Sequence, residues 1–152
     1  MFKQKLNKRS LTEIKKYKEH FFKLALLSTV VTVYAFFQTK TKFEYVFMSL
    51  ALFFHFTAVI GSALNNDKCI NLSDLFFNIL MVTGIIFSTT PAVLYYLIYM
   101  NILTLITRFY FKGCLFKLST KKSHRILPRQ LSGDLLHTSL IILILIKLCL
   151  KL

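Results

Sequence analysis

The chain has 152 residues, of which 55% are hydrophobic, and carries a formal net charge of +14. This length allows one domain, and the hydrophobic content excludes a disordered chain. The three cysteines are odd in number and match no metal or redox spacing, so we expect free thiols, no metal site and no bound cofactor.

The basic residues are concentrated in two segments that flank apolar stretches. Residues 3–23 hold eight Lys or Arg residues, and residues 112–129 hold six. Cytoplasmic segments of membrane proteins carry this excess, which sets the orientation of the chain. The charge therefore predicts a cytoplasmic N-terminus rather than a nucleic-acid partner, for which basic flanks beside apolar spans are not typical.

The first predicted helix begins with the capping-box spacing of Ser10 and Glu13. Residues 1–20 are predicted to form a basic amphipathic segment at the cytoplasmic surface. The first membrane span covers residues 21–37, with Lys23 extending back to the interface. No small-residue cleavage site follows this span, so we expect it to remain as an anchor.

Two polar stretches delimit the second predicted span. Residues 38–42 form a short turn, and Thr41 and Glu44 repeat the capping-box spacing, so the second span covers residues 43–64. Residues 65–74 are predicted to form a polar loop, with Ser73 as the N-cap of the next helix.

Residues 75–111 form an apolar run in which Arg108 is the only charged residue. One helix of this length would measure about 55 Å, against a hydrocarbon core of about 30 Å, so the run must fold back on itself. Its turn signal is Thr90, which suits an N-cap, followed by Pro91, which suits the first helical position. The run therefore predicts a short span at 74–89 and a second at 91–111.

The remaining chain combines a basic loop with a final apolar stretch. Residues 112–134 form a predicted cytoplasmic loop with Gly113, Pro128 and Gly133 as helix breakers. Residues 135–150 form the last span, although it contains Lys147. A central Lys costs roughly 2.5–3.5 kcal/mol, and nine Leu and Ile residues at about −0.3 to −0.6 kcal/mol each outweigh it.

These elements predict an all-α, polytopic transmembrane helical bundle with short loops, whose transmembrane domain covers residues 21–152. Five spans place residues 38–42 and 88–91 outside, residues 65–74 and 112–134 inside, and the C-terminus outside. A four-span alternative has residues 135–152 lying in the membrane interface. The chain contains no internal repeat, so it lacks the signature of an inverted-repeat transporter.

Three polar residues within the predicted spans are candidates for a ligand site or a pore: His55, Asn78 and Asn101. His55 is near the middle of its span, where it either serves a function or is a neutral imidazole hydrogen-bonded to a Thr of a neighbouring helix. The two Asn amides either bind a ligand or hydrogen-bond helices together. A bis-histidine haem site needs a partner at equal depth, and His137 is nearer the inner surface than His55.

Two further groups of residues are predicted to contact lipid or neighbouring helices. Basic side chains at the inner surface either bind anionic lipid headgroups or serve only as a topology signal. They are Arg108, Lys112, Lys117, Lys121, Lys122, Arg125 and Arg129. A patch of small residues, formed by Ala58, Gly61 and Ser62, favours close helix packing within the bundle or with a partner.

No Asp or Glu lies in the interior of a predicted span, because Glu44 and Asp74 are at span entrances, and this disfavours intramembrane proteolysis and carboxylate proton relays. No nucleotide-binding, hydrolase or metalloprotease motif is present. The leading hypothesis is a non-enzymatic scaffold, assembly factor or accessory subunit, surrounded by lipid and bound to membrane-protein partners or to further copies of itself. The alternatives are a small oligomeric transporter or channel, and a membrane-embedded haem-binding or lipid-modifying enzyme.

Overall fold

The computed structural model describes residues 11–120 and 128–150, with the backbone alone described at residues 11, 117 and 128–132. Within these residues all regular structure is helical. The helices are α1 (Leu11–Phe37), α2 (Lys42–Ala63), α3 (Asp67–Phe87), α4 (Pro91–Phe111), α5 (Leu115–Leu118) and α6 (Pro128–Leu150). The all-α architecture expected from the sequence is confirmed.

Five of the helices, α1, α2, α3, α4 and α6, are long and apolar enough to cross a membrane. Large apolar side chains such as Leu27, Phe53 and Ile86 are exposed on their outer surfaces, as expected for contact with lipid. The chain is therefore a multi-pass integral membrane protein. Which side of the membrane holds each connection stays a prediction.

Helices α1, α2 and α3 form a layer in which each helix packs along the next. Neighbouring helices in this layer are antiparallel, because the connections between them are short. Helix α4 contacts α1 and α3 less extensively and closes this layer into a four-helix ring. Helix α6 lies outside the ring against α4 and α3. The short helix α5 packs beneath α1, α3 and α4 at one end of the ring.

The predicted starts of α2 and α4 are correct. The Thr41 hydroxyl accepts from the Glu44 N–H at 3.1 Å, and the Glu44 carboxylate accepts from the Thr41 N–H at 3.2 Å, which completes the capping box. Helix α4 has Pro91 at its first position. The Thr90 side chain makes no capping bond, because its hydroxyl is directed at Glu44 instead.

The predicted start of α3 is wrong by about two turns. The helix begins at Asp67, and Ser73 lies inside it with its hydroxyl bonded to the Cys69 carbonyl at 3.0 Å. Asn66 is the N-cap, since its side chain accepts from the Lys68 N–H at 3.0 Å. The polar residues that suggested a loop occupy the first turns of α3, which is 21 residues long, as α4 is, and one residue shorter than α2.

The predicted start of the last helix is also wrong. Helix α6 begins at Pro128, and Gly133 lies within it rather than breaking it. A Cβ atom at Gly133 would lie 2.5 Å from a terminal guanidinium nitrogen of Arg108, so this glycine allows Arg108 to pack directly on the backbone of α6. The basic loop is shorter than expected, and it contains α5.

Contacts at both ends of α6 show that it runs antiparallel to α4. Asp134 near its beginning pairs with Arg108 in the last turn of α4, at 2.5 Å. Lys147 near its end donates to the Ile85 and Ile86 carbonyls in the last turn of α3, both at 2.9 Å. A cation is stabilised at the negative end of a helix. This arrangement favours the five-span reading over one in which residues 135–152 lie flat.

An odd number of crossings predicts that the two chain ends lie on opposite sides of the membrane. We expect a glycosylation acceptor to be modified in microsomes at one terminus and not at the other. Both variants should carry Asn71→Gln, because Asn71-Leu72-Ser73 is itself an acceptor motif. Modification at both termini, or at neither, would show an even number of spans.

Candidate functional site

An apolar cavity lies between the layer of α1, α2 and α3 and the fourth helix of the ring. It has a volume of about 80 Å³, and α5 covers one end of it. Most of its lining is apolar, and the central part is formed by Phe54, Phe77, Leu80, Met81 and Met100. The cavity exists because α4 packs less closely on α1 and α3 than these helices pack on α2.

His55 lines this cavity and is buried on its wall. Its ring Nδ1 is 2.8 Å from the Ala51 carbonyl oxygen on the preceding turn of α2. Its Nε2 is 3.5 Å from the Thr32 hydroxyl oxygen on α1, and the Tyr96 ring on α4 lies 6.4 Å away between centroids. His55 is thus surrounded by three helices, with 9% of its surface exposed.

Asn101 forms a different contact, between α4 and α6. It is fully buried, and its side-chain oxygen is 2.7 Å from Nδ1 of His137. Its amide nitrogen donates to the Leu97 carbonyl at 2.8 Å and lies 3.6 Å from the Met81 sulfur. Because the Asn101 oxygen can only accept, His137 donates from Nδ1. Asn101 therefore joins α4 to α6 and α3, and it does not line the cavity.

Asn78 faces outwards from α3 and is exposed. Its amide donates to the Asp74 carbonyl of the preceding turn at 2.7 Å, so its hydrogen-bonding capacity is directed to its own helix. The three predicted ligand or pore residues are thus not brought together. Of the three, His55 alone reaches the cavity, while Asn101 is enclosed beside α6 and Asn78 is on the outer surface.

The residues predicted to bind lipid headgroups have different surroundings in the structure. The Arg108 side chain is largely buried and ion-paired with Asp134, so it stabilises the α4–α6 contact. Lys112 is exposed at the end of α4, in the left-handed conformation that ends the helix. Other members of the group lie outside the described residues or have no described side chain: Lys117, Lys121, Lys122, Arg125 and Arg129.

The small-residue patch packs inside the bundle. A Cβ atom at Gly61 would lie 2.7 Å from the Cys69 Cβ, so only glycine allows α2 to approach the first turn of α3 this closely. Ala58 and Ser62 are buried on the same face of α2, and the Ser62 hydroxyl donates to the Ala58 carbonyl at 2.8 Å. In the described residues this patch therefore contacts α3.

Glu44 is the site residue that sequence reasoning underestimated. It is fully buried, and its carboxylate accepts from the Thr89 and Thr90 N–H groups at 2.8 and 2.7 Å and from the Thr90 hydroxyl at 2.6 Å. These donors precede α4, so one carboxylate lies at the N-terminal ends of α2 and α4. The capping-box spacing located Glu44 at a helix start, but nothing in the sequence pointed to its second set of partners.

Lys18 is a second buried charge that the sequence did not identify. Its ammonium lies 2.7 Å from the Asp67 carboxylate, which places a salt bridge between α1 and the first turn of α3. Sequence reasoning assigned Lys18 to a surface segment. Among the described residues no group of three His, Cys, Asp or Glu side chains converges as a metal site would require. His55 and His137 contact different helices and do not face each other across one ligand space.

Replacing Glu44 should destabilise the bundle. In Glu44→Ala, the N–H groups of Thr89 and Thr90 and the Thr90 hydroxyl lose their acceptor, and we expect a loss of about 2–4 kcal/mol in the free energy of unfolding. Titration of the micelle-bound protein with a denaturing detergent, followed by circular dichroism, measures it. Glu19→Ala is the matched control, because Glu19 is an exposed acid of α1, and its stability should equal that of the wild type. Equal stability of both variants would contradict this role.

The Asn101–His137 contact should be measurable as a coupling between α4 and α6. A double-mutant cycle with Asn101→Leu and His137→Leu is expected to give an interaction free energy of about 0.6–2 kcal/mol, since both groups are buried and bonded. The same unfolding titration supplies the four stabilities. Strict additivity of the two single changes would show that the contact contributes nothing.

The geometry combines an apolar cavity containing one histidine with polar contacts that join helices elsewhere. Comparisons of the chain with protein-family models, with curated proteins and with solved structures found no match. The contacts within this chain are therefore the basis for proposing its function.

Proposed function

We propose that the protein is a non-enzymatic component of a membrane complex, acting as a scaffold, assembly factor or accessory subunit. One observation carries this proposal: several polar and charged side chains buried in the bundle bond to neighbouring helices. Such groups support a structural role, because each holds two elements in a fixed relation. A catalytic site instead directs several polar groups into one space that a substrate can enter.

The contacts that join different helices extend over the whole bundle. They include Lys18–Asp67, Glu44–Thr90, Asn101–His137, Arg108–Asp134 and Lys147 with the Ile85 and Ile86 carbonyls. Water does not compete for hydrogen bonds in the hydrocarbon region, so contacts of this kind and close packing determine how helices associate there. Together these contacts make a stable helical unit, which is suited to presenting fixed surfaces to lipid or to other membrane proteins.

The transporter alternative receives less support from the same contacts. A polar route through the bundle would bring His55, Asn78 and Asn101 to one continuous space. Their side chains instead face the cavity, the lipid-facing surface and α6 respectively. The enzyme alternative would need an acid or base pair in the cavity, whose described lining contains His55, Tyr96 and Cys114 as titratable groups and no carboxylate.

The composition of the native particle tests this proposal. The protein, tagged and extracted with its surrounding lipid by a styrene–maleic acid polymer, should leave the membrane with other proteins at fixed stoichiometry. Light scattering, corrected for the lipid and polymer, measures the protein mass of the particle, which should exceed the 17.7 kDa of one chain, and mass spectrometry identifies the contents.

Glu44→Ala is the matched variant in this experiment, because its effect is to loosen the helical unit without altering the apolar outer surface. We expect it to retain less of each partner than the wild type or Glu19→Ala. Particles that contain this chain alone, in wild type and variant, would overturn the proposal and favour the transporter or enzyme readings.

A further inference from the structure

The hydrogen bonds of His55 fix which of its nitrogens carries a proton. Nδ1 lies 2.8 Å from the Ala51 carbonyl, and a carbonyl oxygen can only accept, so Nδ1 must carry the hydrogen. The described residues that line the cavity include no carboxylate to balance a charged ring, and an uncompensated charge is costly at this depth. The ring is therefore neutral, and Nε2 presents a lone pair that needs a donor.

Thr32 is the neighbour nearest to Nε2, and it has no hydrogen to offer. Its hydroxyl donates its one hydrogen to the Ser28 carbonyl at 2.7 Å, a much shorter separation than the 3.5 Å to Nε2. Tyr96 lines the same cavity, and among the described residues no hydrogen bond joins its hydroxyl to Nε2.

The other hydroxyls on the cavity wall are occupied as well. Four of them each donate to a backbone carbonyl at 2.8–3.1 Å: Ser28, Ser73, Thr104 and Thr107. Among the described residues, none of the hydroxyl groups around the cavity supplies Nε2 with a proton. A buried acceptor left in this state costs free energy, which a ligand that donates a hydrogen bond would recover.

The cavity surrounding His55 restricts the chemistry of that ligand. Its wall is apolar apart from the hydroxyls already described, so the body of the ligand must be apolar. One buried water needs about 10–15 Å³ by this measure, so about 80 Å³ accommodates roughly six water-sized positions. This is the space of an aromatic ring or a short branched chain, while any longer tail would extend between the helices into lipid.

We propose that the cavity binds an apolar alcohol or phenol, whose hydroxyl donates a hydrogen bond to Nε2 of His55. An ether or ketone of the same shape lacks the donor, and a carboxylate would bring a charge into an apolar space. The site is independent of the proposed role in a complex, since it depends only on contacts within this chain.

Nuclear magnetic resonance of the wild-type protein tests the first step. With ¹⁵N-labelled histidine, the long-range ¹H–¹⁵N spectrum of the neutral His55 ring should show a proton on Nδ1 and none on Nε2. The His55 signals are identified by their loss in His55→Phe. A proton on Nε2 would overturn the assignment and with it the proposal.

Binding is tested with 4-fluorophenol and 4-fluoroanisole, which differ by the methyl group that removes the donor. By ¹⁹F resonance, 4-fluorophenol should bind the wild type about threefold to tenfold more tightly than 4-fluoroanisole, as expected for one hydrogen bond. It should also move the Nε2 resonance of His55. This preference opposes simple partitioning into lipid, which favours the ether.

His55→Phe retains the apolar volume and removes the acceptor, so the preference for 4-fluorophenol should vanish. His20→Phe, the same change at an interfacial position outside the cavity, should retain it. If His55→Phe fails to fold, the wild-type protein still tests the proposal through its preference for 4-fluorophenol and the movement of the Nε2 resonance. Equal binding of the two probes, with no movement of Nε2, would mean that water satisfies Nε2, and it would overturn the proposal.

Discussion

The buried carboxylate of Glu44 is the interaction on which the arrangement of the helices depends. It accepts five hydrogen bonds, two from the turn that begins α2 and three from Thr89 and Thr90 before α4. The first N–H groups of a helix have no partner within it, and a bilayer supplies few alternatives. One side chain therefore completes the start of α2 and fixes the turn between α3 and α4, which sets where α4 meets the ring.

The other helix ends follow the same physical rule with different residues. Lys147 donates to the last carbonyls of α3, and Asn66 accepts from the first N–H groups of that helix. Lys18 reaches Asp67 and bonds α1 to the beginning of α3. Because charged and polar groups are used mainly at helix ends, the middle of the bundle remains apolar. His55 and Asn101 are exceptions there: His55 lies on the wall of the cavity, and Asn101 joins α4 to α6.

The sequence was sufficient for features that depend on neighbouring residues. The apolar lengths predicted five long helices, the Thr41–Glu44 spacing predicted the start of α2, and Pro91 predicted the start of α4. Features that depend on distant residues were missed. The polar residues after Asn65 read as a loop, because their partner Lys18 lies far away in the chain. Gly133 read as a helix breaker, because its contact with Arg108 exists only after α6 has packed.

The candidate site likewise combines a feature that the sequence predicted with contacts that depend on distant residues. His55 could be selected from its depth in an apolar span, but the state of its ring is decided by Ala51 on its own helix and Thr32 on another. The pairing of Asn101 with His137 joins residues 36 positions apart, so the sequence favoured a helix contact over ligand binding for Asn101 but could not identify its partner. Packing decides between such options, because it determines which donors and acceptors are already occupied.

Amide hydrogen exchange at Thr89 and Thr90 tests the central claim most directly. Both N–H groups lie in the turn before α4, outside any helical hydrogen-bond ladder, and their acceptor is the Glu44 carboxylate. The account predicts slow exchange at both amides in the wild type and fast exchange in Glu44→Ala, with the α4 amides near Asn101 still protected. Fast exchange at Thr89 and Thr90 in the wild type would contradict it.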